Sequence, residues 1–361
     1  MIRPAIGASW LFSARLGESG FPDKKNTDAG MRLLIIQIPC LNEEHQLPAL
    51  LRELPRKLDG FDQVKWLVVD DGSTDRTVEV AREHGVDYIL SFAKHEGLAR
   101  AFSAGLECAL RAGADVIVNT DADNQYSSRS IPDLVRPILA GEAKIVIGER
   151  PISDIESFSN STKILQRVGS WAVRLFSETT VPDVTSGFRA FHRDAAIQLN
   201  VFGPYTYTLE TIIQAGLRSL PITSVRIGVN PVTRPSRLIS SVPSYVLHSI
   251  VTILRVWFIY APARLFGILV VMCMAPTIFI WVLFLVRYWL GTGQGHIQSL
   301  ILSIALAGMG GVFALAGLVS HLMATNRILL EDIRSRLIRQ GLDQNSVNGA
   351  HDAPEPRELR R

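Results

Sequence analysis

Cysteine is scarce. Cys40, Cys108 and Cys273 lie far apart in 361 residues and are odd in number. No spacing among them suits a zinc site or a redox pair, so they read as small buried apolar side chains in a reducing compartment. Net charge is small as well. Thirty-seven Lys and Arg against 34 Asp and Glu leave +3 at pH 7, without the basic excess of a nucleic-acid binder. Near the start, Trp10-Leu11-Phe12 is too short an apolar run to read as the core of a secretory signal. Residues 1–30 read as a disordered leader, and Met31, directly before the first clear strand, is a second candidate start. Charge also disappears locally. Leu265 to Val286 and Ser299 to Ser320 are each 22 residues without a charged side chain. About 20 suffice to cross the hydrocarbon core, so two membrane spans are expected, the first kinked at Pro276. Ala307, Gly310, Gly311, Ala314 and Gly317 give the second a small-residue face for close packing, within the hairpin or between subunits.

The front of the chain has a different pattern. Leu33 to Ile38, Trp66 to Val69, Val86 to Leu90, Val116 to Val118 and Ile145 to Ile147 are short apolar runs that read as strands. Helical spacing separates them, as in Leu47, Leu50, Leu51, Leu54 and Leu58, with Asn42 as an N-cap. Ser73 or Asp75 can cap the helix after the second strand. Alternation of this kind predicts an α/β sheet with parallel crossovers, whose ligands bind beyond the carboxyl ends of the strands. PCLNEE, DDGSTD, DADNQY and GER all fall there, and a purely structural set of loops has no need of so many Asp, Asn and Glu.

Asn119 to Tyr126, NTDADNQY, is the central stretch. Asp121, Asp123 and Gln125 alternate, and alternate residues of an extended segment point the same way. Two carboxylates and an amide oxygen suit a hard divalent cation, Mg²⁺ or Mn²⁺, held against substrate phosphates. D-x-D alone is more often an acidic turn; the converging loops favour the metal site.

Taken in order, PCLNEE, VVDDGSTD, HEGLARAFSAGL, DADNQY, GER and TSGFRA resemble a family 2 glycosyltransferase of the GT-A (Rossmann-like) fold, from about Leu33 to Val229. With YTYTLE, the basic RPSRL segment and the membrane hairpin, the resemblance is to polyprenyl-phosphate hexosyltransferases of the dolichyl- and undecaprenyl-phosphate type. It implies residues 31–238 as the catalytic domain, 239–262 as amphipathic juxtamembrane helices, 263–322 as the spans, 323–342 as a cytoplasmic helix and 343–361 as a disordered tail. It implies that Pro39, Asn42, Glu43, Asp71 and Gly97 line the nucleotide pocket, with Asp121, Asp123 and Gln125 holding the metal. Arg150, Arg234 and Arg237 are implied at the acceptor phosphate and Glu210 at the donor sugar, with Arg167 a looser match. Relatives often have lysine where Arg237 stands.

The implied reaction is inverting transfer of one hexose from a UDP-glucose or GDP-mannose class donor to polyprenyl phosphate. The acceptor is already anionic, so it needs positioning more than deprotonation; Glu210 and Asp183 are the candidate bases. The implied partners are the nucleotide sugar, the lipid phosphate and the bilayer; relatives of this kind often form homo-oligomers. Arg255, Arg264, Arg327, Arg334, Arg336 and Arg339 flank the spans, while Tyr288 to Gln298 between them has no Lys or Arg. Positive-inside counting places both termini and the catalytic domain in the cytoplasm, at the inner membrane. A transferase acting on diacylglycerol, or a catalytically dead membrane scaffold, are the other readings. A processive polysaccharide synthase would usually carry Q-x-x-R-W and more spans.

Overall fold

The computed structural model describes residues 15–16, 32–151, 181–201, 207–230, 258, 262–290 and 297–351. Two compact units divide the chain, Met1–Leu238 with Ser335–Arg361, and Ile239–Arg334.

The first unit is an eight-stranded sheet. Its strands are β1 (Arg15–Leu16), β2 (Leu33–Cys40), β3 (Gln63–Asp70), β4 (Tyr88–Ser91), β5 (Val116–Asn119), β6 (Ile145–Glu149), β7 (Arg189–His192) and β8 (Ile222–Arg226), in spatial order β1-β4-β3-β2-β5-β7-β6-β8. Helices α1 (Leu47–Glu53), α2 (Thr77–Glu83), α3 (Leu98–Arg111) and α4 (Ile131–Leu139) connect the early strands; α5 (Arg193–Gln198) and α6 (Thr208–Leu217) follow β7. β2 is buried along its whole length, as expected of a strand covered on both faces. Gln37, its one polar side chain, donates from Nε2 to the Phe102 carbonyl and to Asn119 Oδ1, both at 3.0 Å, tying β2 to α3 and β5.

The sheet is mixed, not wholly parallel. β2 pairs in parallel with β3 and β5, but β7 runs antiparallel between β5 and β6. β7 begins inside the TSGFRA motif, at Arg189 and Ala190, and its four residues are too short a run for periodicity to reveal. Their direction brings the segment before β7, Asp183 to Phe188, to the edge where β2, β3, β5 and β6 end. Strand order reverses between β2 and β5, and crevices of open α/β sheets form at such points.

One local expectation needs correction. Asn42 does not cap α1, which begins at Leu47 after Gln46; Asn42 instead adopts a left-handed backbone with φ 54°. Asparagine tolerates that conformation better than most side chains. At α2, Asp75 rather than Ser73 serves the helix start, accepting from the Thr77 amide at 3.0 Å.

The second unit contains α7 (Pro262–Trp289) and the residues of α8 (Ile297–His351) up to Arg334. Both helices are long and apolar enough to cross a membrane. Their large apolar side chains face outward, Trp281 at 51% and Leu315 at 67% exposure, unlike those of a soluble core helix. α7 continues through Pro276 as one helix. The pair is antiparallel: Trp281 Nε1 donates to Ser303 Oγ at 2.9 Å, a Cβ at Gly310 would meet Met274 Sδ at 2.9 Å, and one at Gly317 would meet Phe266 Cβ at 2.8 Å. Gly311 meets nothing within 4 Å, so Gly310 and Gly317, seven residues apart, make the small-residue contact.

Candidate active site

The acidic loops come off the same edge of the sheet, and each is fixed differently. The loop after β2 and the loop after β3 are zipped together. The Asn42 amide donates to Ser73 Oγ at 2.9 Å, and Asn42 Oδ1 accepts from the Thr74 amide at 2.8 Å. The Glu43 amide donates to Thr77 Oγ1 at 2.8 Å, and Glu43 is 7% exposed. Pro39 sits within the buried β2. Asp71 is equally buried and accepts from the Glu96 amide at 2.8 Å, from the Gly97 amide at 2.9 Å and from His95 Nδ1 at 2.8 Å. As placed, Asp71 binds the loop that starts α3. Gly97 turns that loop with φ 101°, a conformation open to glycine at little cost.

The DADNQY loop is a turn, not an extended segment. Asn124 has a left-handed backbone, φ 54°, and the Gln125 amide donates to Asp123 Oδ1 at 3.2 Å. Strand alternation therefore does not gather Asp121, Asp123 and Gln125; a tight turn presents them just beyond β5. Its far side is secured to the segment after β8. The Asn230 amide donates to the Gln125 carbonyl at 2.9 Å, Asn230 Nδ2 donates to the Asn124 carbonyl at 3.0 Å, and Tyr126 bridges Val229.

Asp121 is closely approached by backbone. A Cβ on Gly187 would fall 2.7 Å from its Oδ2, so only glycine permits this approach. The Gly187 amide donates to the Tyr126 hydroxyl at 3.0 Å, and that hydroxyl is hydrogen-bonded to Asp121. Burial, and then the neighbouring charge of Asp123, pushes the Asp121 carboxyl up to about 7, against the opposing pull of Arg150. A polar core lies behind it. Asn119 Nδ2 donates to the Gly187 carbonyl and to the Tyr207 hydroxyl, both at 2.9 Å, and Tyr207 stacks on Phe102 with ring centroids 3.8 Å apart.

Arg150, at the end of GER, is aimed by Asp183 and Thr185. Its Nε donates to Asp183 Oδ2 at 2.7 Å, and its Nη2 donates to Asp183 Oδ1 at 3.0 Å and to Thr185 Oγ1 at 2.7 Å. This changes the role of Asp183. Burial pushes its carboxyl up, but the bonds and charge of Arg150 outweigh burial and hold it below the usual carboxylate range. A carboxylate so held is a poor base, and Asp183 is a positioning group for Arg150. Glu210 lies buried in the first turn of α6, whose preceding residue Tyr207 bonds Asn119. Arg167, Arg234 and Arg237 lie outside the described residues.

Arg189 has a role that the sequence alone does not single out. Its guanidinium is fully buried and donates to the carbonyls of Ser186, Thr208 and Val184 and to Thr211 Oγ1. Burial draws it down to about 10, still cationic at neutral pH. It holds the 184–188 segment against α6 and so keeps Gly187 on Asp121. The available signal was its place in TSGFRA, two residues after Gly187.

A mixed sheet, a strand-order reversal between β2 and β5 and an acidic edge there mark an α/β domain of GT-A type. The family model for glycosyl transferase family 2 matches residues 35–199. An undecaprenyl-phosphate mannosyltransferase of Micrococcus luteus is 32% identical over 170 residues, 45% of this chain and 68% of that protein. A UDP-N-acetylglucosamine–dolichyl-phosphate N-acetylglucosaminyltransferase of Methanococcus voltae is 30% identical over 183 residues, 45% of this chain and 71% of that protein. Among solved structures, glucosyl-3-phosphoglycerate synthase from Mycobacterium tuberculosis is 21% identical with a TM-score of 0.48, over 62% of this chain and 78% of that one. The matched part of this chain spans about two thirds of the relatives' own length. The chain belongs to glycosyl transferase family 2.

Proposed function

We propose that the protein moves one hexose from a nucleotide diphosphate sugar onto a polyprenyl phosphate, with inversion, at the cytoplasmic face of the inner membrane. The observation that carries this reading is the Asp121–Asp123 turn in a chain that also has two helices of membrane-crossing length. Both relatives described above act, by their names, on a prenyl-lipid phosphate, one with mannose and one with N-acetylglucosamine. The acceptor class is common to them and the sugar is not, so the proposal specifies the acceptor more narrowly than the donor.

Asp121, Asp123 and Gln125 offer only hard oxygen donors, and among the described residues no group of three or more His, Cys, Asp or Glu gathers. That set fits Mg²⁺ or Mn²⁺, which take the remaining ligands from diphosphate and water. Bound there, the ion would neutralise charge developing on the leaving nucleotide. The other work belongs to the chain's own groups. Arg150, held by Asp183, presents a fixed charge beside the turn. Arg234 and Arg237 hold the acceptor phosphate, since guanidinium forks match phosphate oxygens. Glu210 faces the donor sugar, and is the remaining candidate base.

The test supplies labelled sugar nucleotides to membranes containing the protein, with polyprenyl phosphate or diacylglycerol as acceptor. An acid-labile lipid product is expected only with the phosphate. Arg237→Ala is expected to raise the KM for polyprenyl phosphate roughly tenfold to hundredfold, the loss of one charge-assisted hydrogen bond, and Arg237→Lys to recover part of it. Glycosylation of diacylglycerol without polyprenyl phosphate would overturn the reading. For orientation, a cysteine at Gly293 should react with an impermeant thiol reagent on intact cells, and one at exposed Gln340 only after lysis. The opposite pattern would place the catalytic domain outside.

A further inference from the structure

We propose that α8 is a parallel zipper helix: one of its faces, running from the span into the aqueous segment, docks on the same face of a second copy of this chain. The face turned to α7 is accounted for, with Ser303, Gly310 and Gly317 at seven-residue spacing. A different face carries Leu315, Val319, Leu322, Asn326, Leu329 and Ile333, spaced 4-3-4-3-4. Its apolar members are 67, 56, 56, 57 and 52% exposed, and Asn326 is exposed with them. The repeat is seven residues, that of a left-handed coiled coil.

Lipid covers only the first part of this face. Arg327, Glu331, Asp332 and Arg334 follow within about two turns, a density of charge that does not lie in hydrocarbon. Leu329 and Ile333 nevertheless stay open on the same helix. Apolar side chains in water gain from burial, and something must cover them.

The residue types say what. Leucine fills one core position of each heptad (Leu315, Leu322, Leu329), and β-branched Val319 and Ile333 fill the other. That distribution favours two parallel strands. Asn326 takes the β-branched position once, between Val319 and Ile333. A single core asparagine fixes register and strand number by bonding to its counterpart. Membrane insertion supplies the geometry, because every copy crosses in one direction and to one depth. Asn326 of one protomer therefore stands level with Asn326 of its partner, and a second copy presents the matching amide at that height.

The test places single cysteines in the full-length protein in isolated membranes and adds an oxidant. Native Cys40, Cys108 and Cys273 are buried and serve as the unmodified background. Leu322→Cys and Leu329→Cys are expected to shift from monomer to twice the monomer mass on a non-reducing gel. Ile328→Cys, 63% exposed at the same depth but off the stripe, is expected to stay monomeric. Monomer throughout, or equal crosslinking at position 328, overturns the proposal. Asn326→Val supplies a second reading: species larger than a dimer are expected in nanodiscs once the register residue is gone. An unchanged dimer would overturn the assignment of Asn326.

Discussion

Two acidic loops leave the same edge of the sheet, and they use their carboxylates in opposite ways. After β3, Asp71 is 3% exposed and surrounded by donors: two backbone amides of the 95–97 loop and the His95 ring. After β5, Asp121 is set beside a second carboxylate, Asp123, in a turn whose backbone is bonded elsewhere, and its charged form is disfavoured by burial and by that neighbour. In sequence, DDGSTD and DADNQY are the same kind of signal, an acidic cluster just past an apolar run. In space, one is a finished internal latch and the other bears a charge cost that its own chain does not offset. A ligand of positive charge relieves the second and does nothing for the first.

The widest separation between the two loops should come from removing one carboxylate of each. Asp123→Ala is expected to lower turnover by about 10²–10³, the several kcal/mol that a bound cation contributes to a charged leaving group, while the melting temperature holds. Excess chelator should reproduce that loss reversibly in the unsubstituted protein. Asp71→Ala should act the other way round. Losing a charged acceptor from buried backbone amides costs about 1.5–3 kcal/mol, seen as an earlier thermal transition. Initial-rate assays and thermal unfolding on both variants check the pair. A stable but inactive Asp71→Ala, or an unstable Asp123→Ala, would erase the distinction.

Much of this edge was legible in the sequence because the apolar runs are long and the polar clusters follow them directly. β2, β3 and β5, the three helices between β2 and β5, and the position of the DADNQY turn all rest on that signal. Three features were not legible, each for a physical reason. β7 has four residues and lies antiparallel between two strands that run parallel to each other, so neither its presence nor its direction leaves a period. The Arg150–Asp183 pair joins residues 33 apart in the chain, and it forms because β7, just after Asp183, returns beside β6. The turn at Asn124 depends on one left-handed residue, φ 54°, and asparagine permits that conformation without requiring it. Charge-free stretches announced both apolar helices, yet only the packing shows which face of α8 meets α7, because small residues are spread over several of its faces.

The smallest expected effect is also the most direct test of the contrast, and it is a pH dependence. An unfolded chain releases the Asp121 proton near 3.8, whereas the folded protein keeps it to about 7. Between those values the folded state binds the extra proton, so lowering the pH favours folding. The resulting stability is full below 3.8 and is lost as pH rises through about 7. Without a divalent cation, the protein should therefore unfold at a lower temperature at pH 8 than at pH 6. The slope attributable to this one group is at most about 1.4 kcal/mol per pH unit. Added Mn²⁺ should reverse the order, because it needs the carboxylate ionised and competes with the proton; its affinity should fall as pH drops below about 7. Asp121→Asn should remove both dependences, while Asp71→Ala, for all its loss of stability, should keep them. Equal pH responses in those two variants would mean that the two loops hold their charge alike, and that the turn after β5 is no better prepared for a cation than the latch after β3.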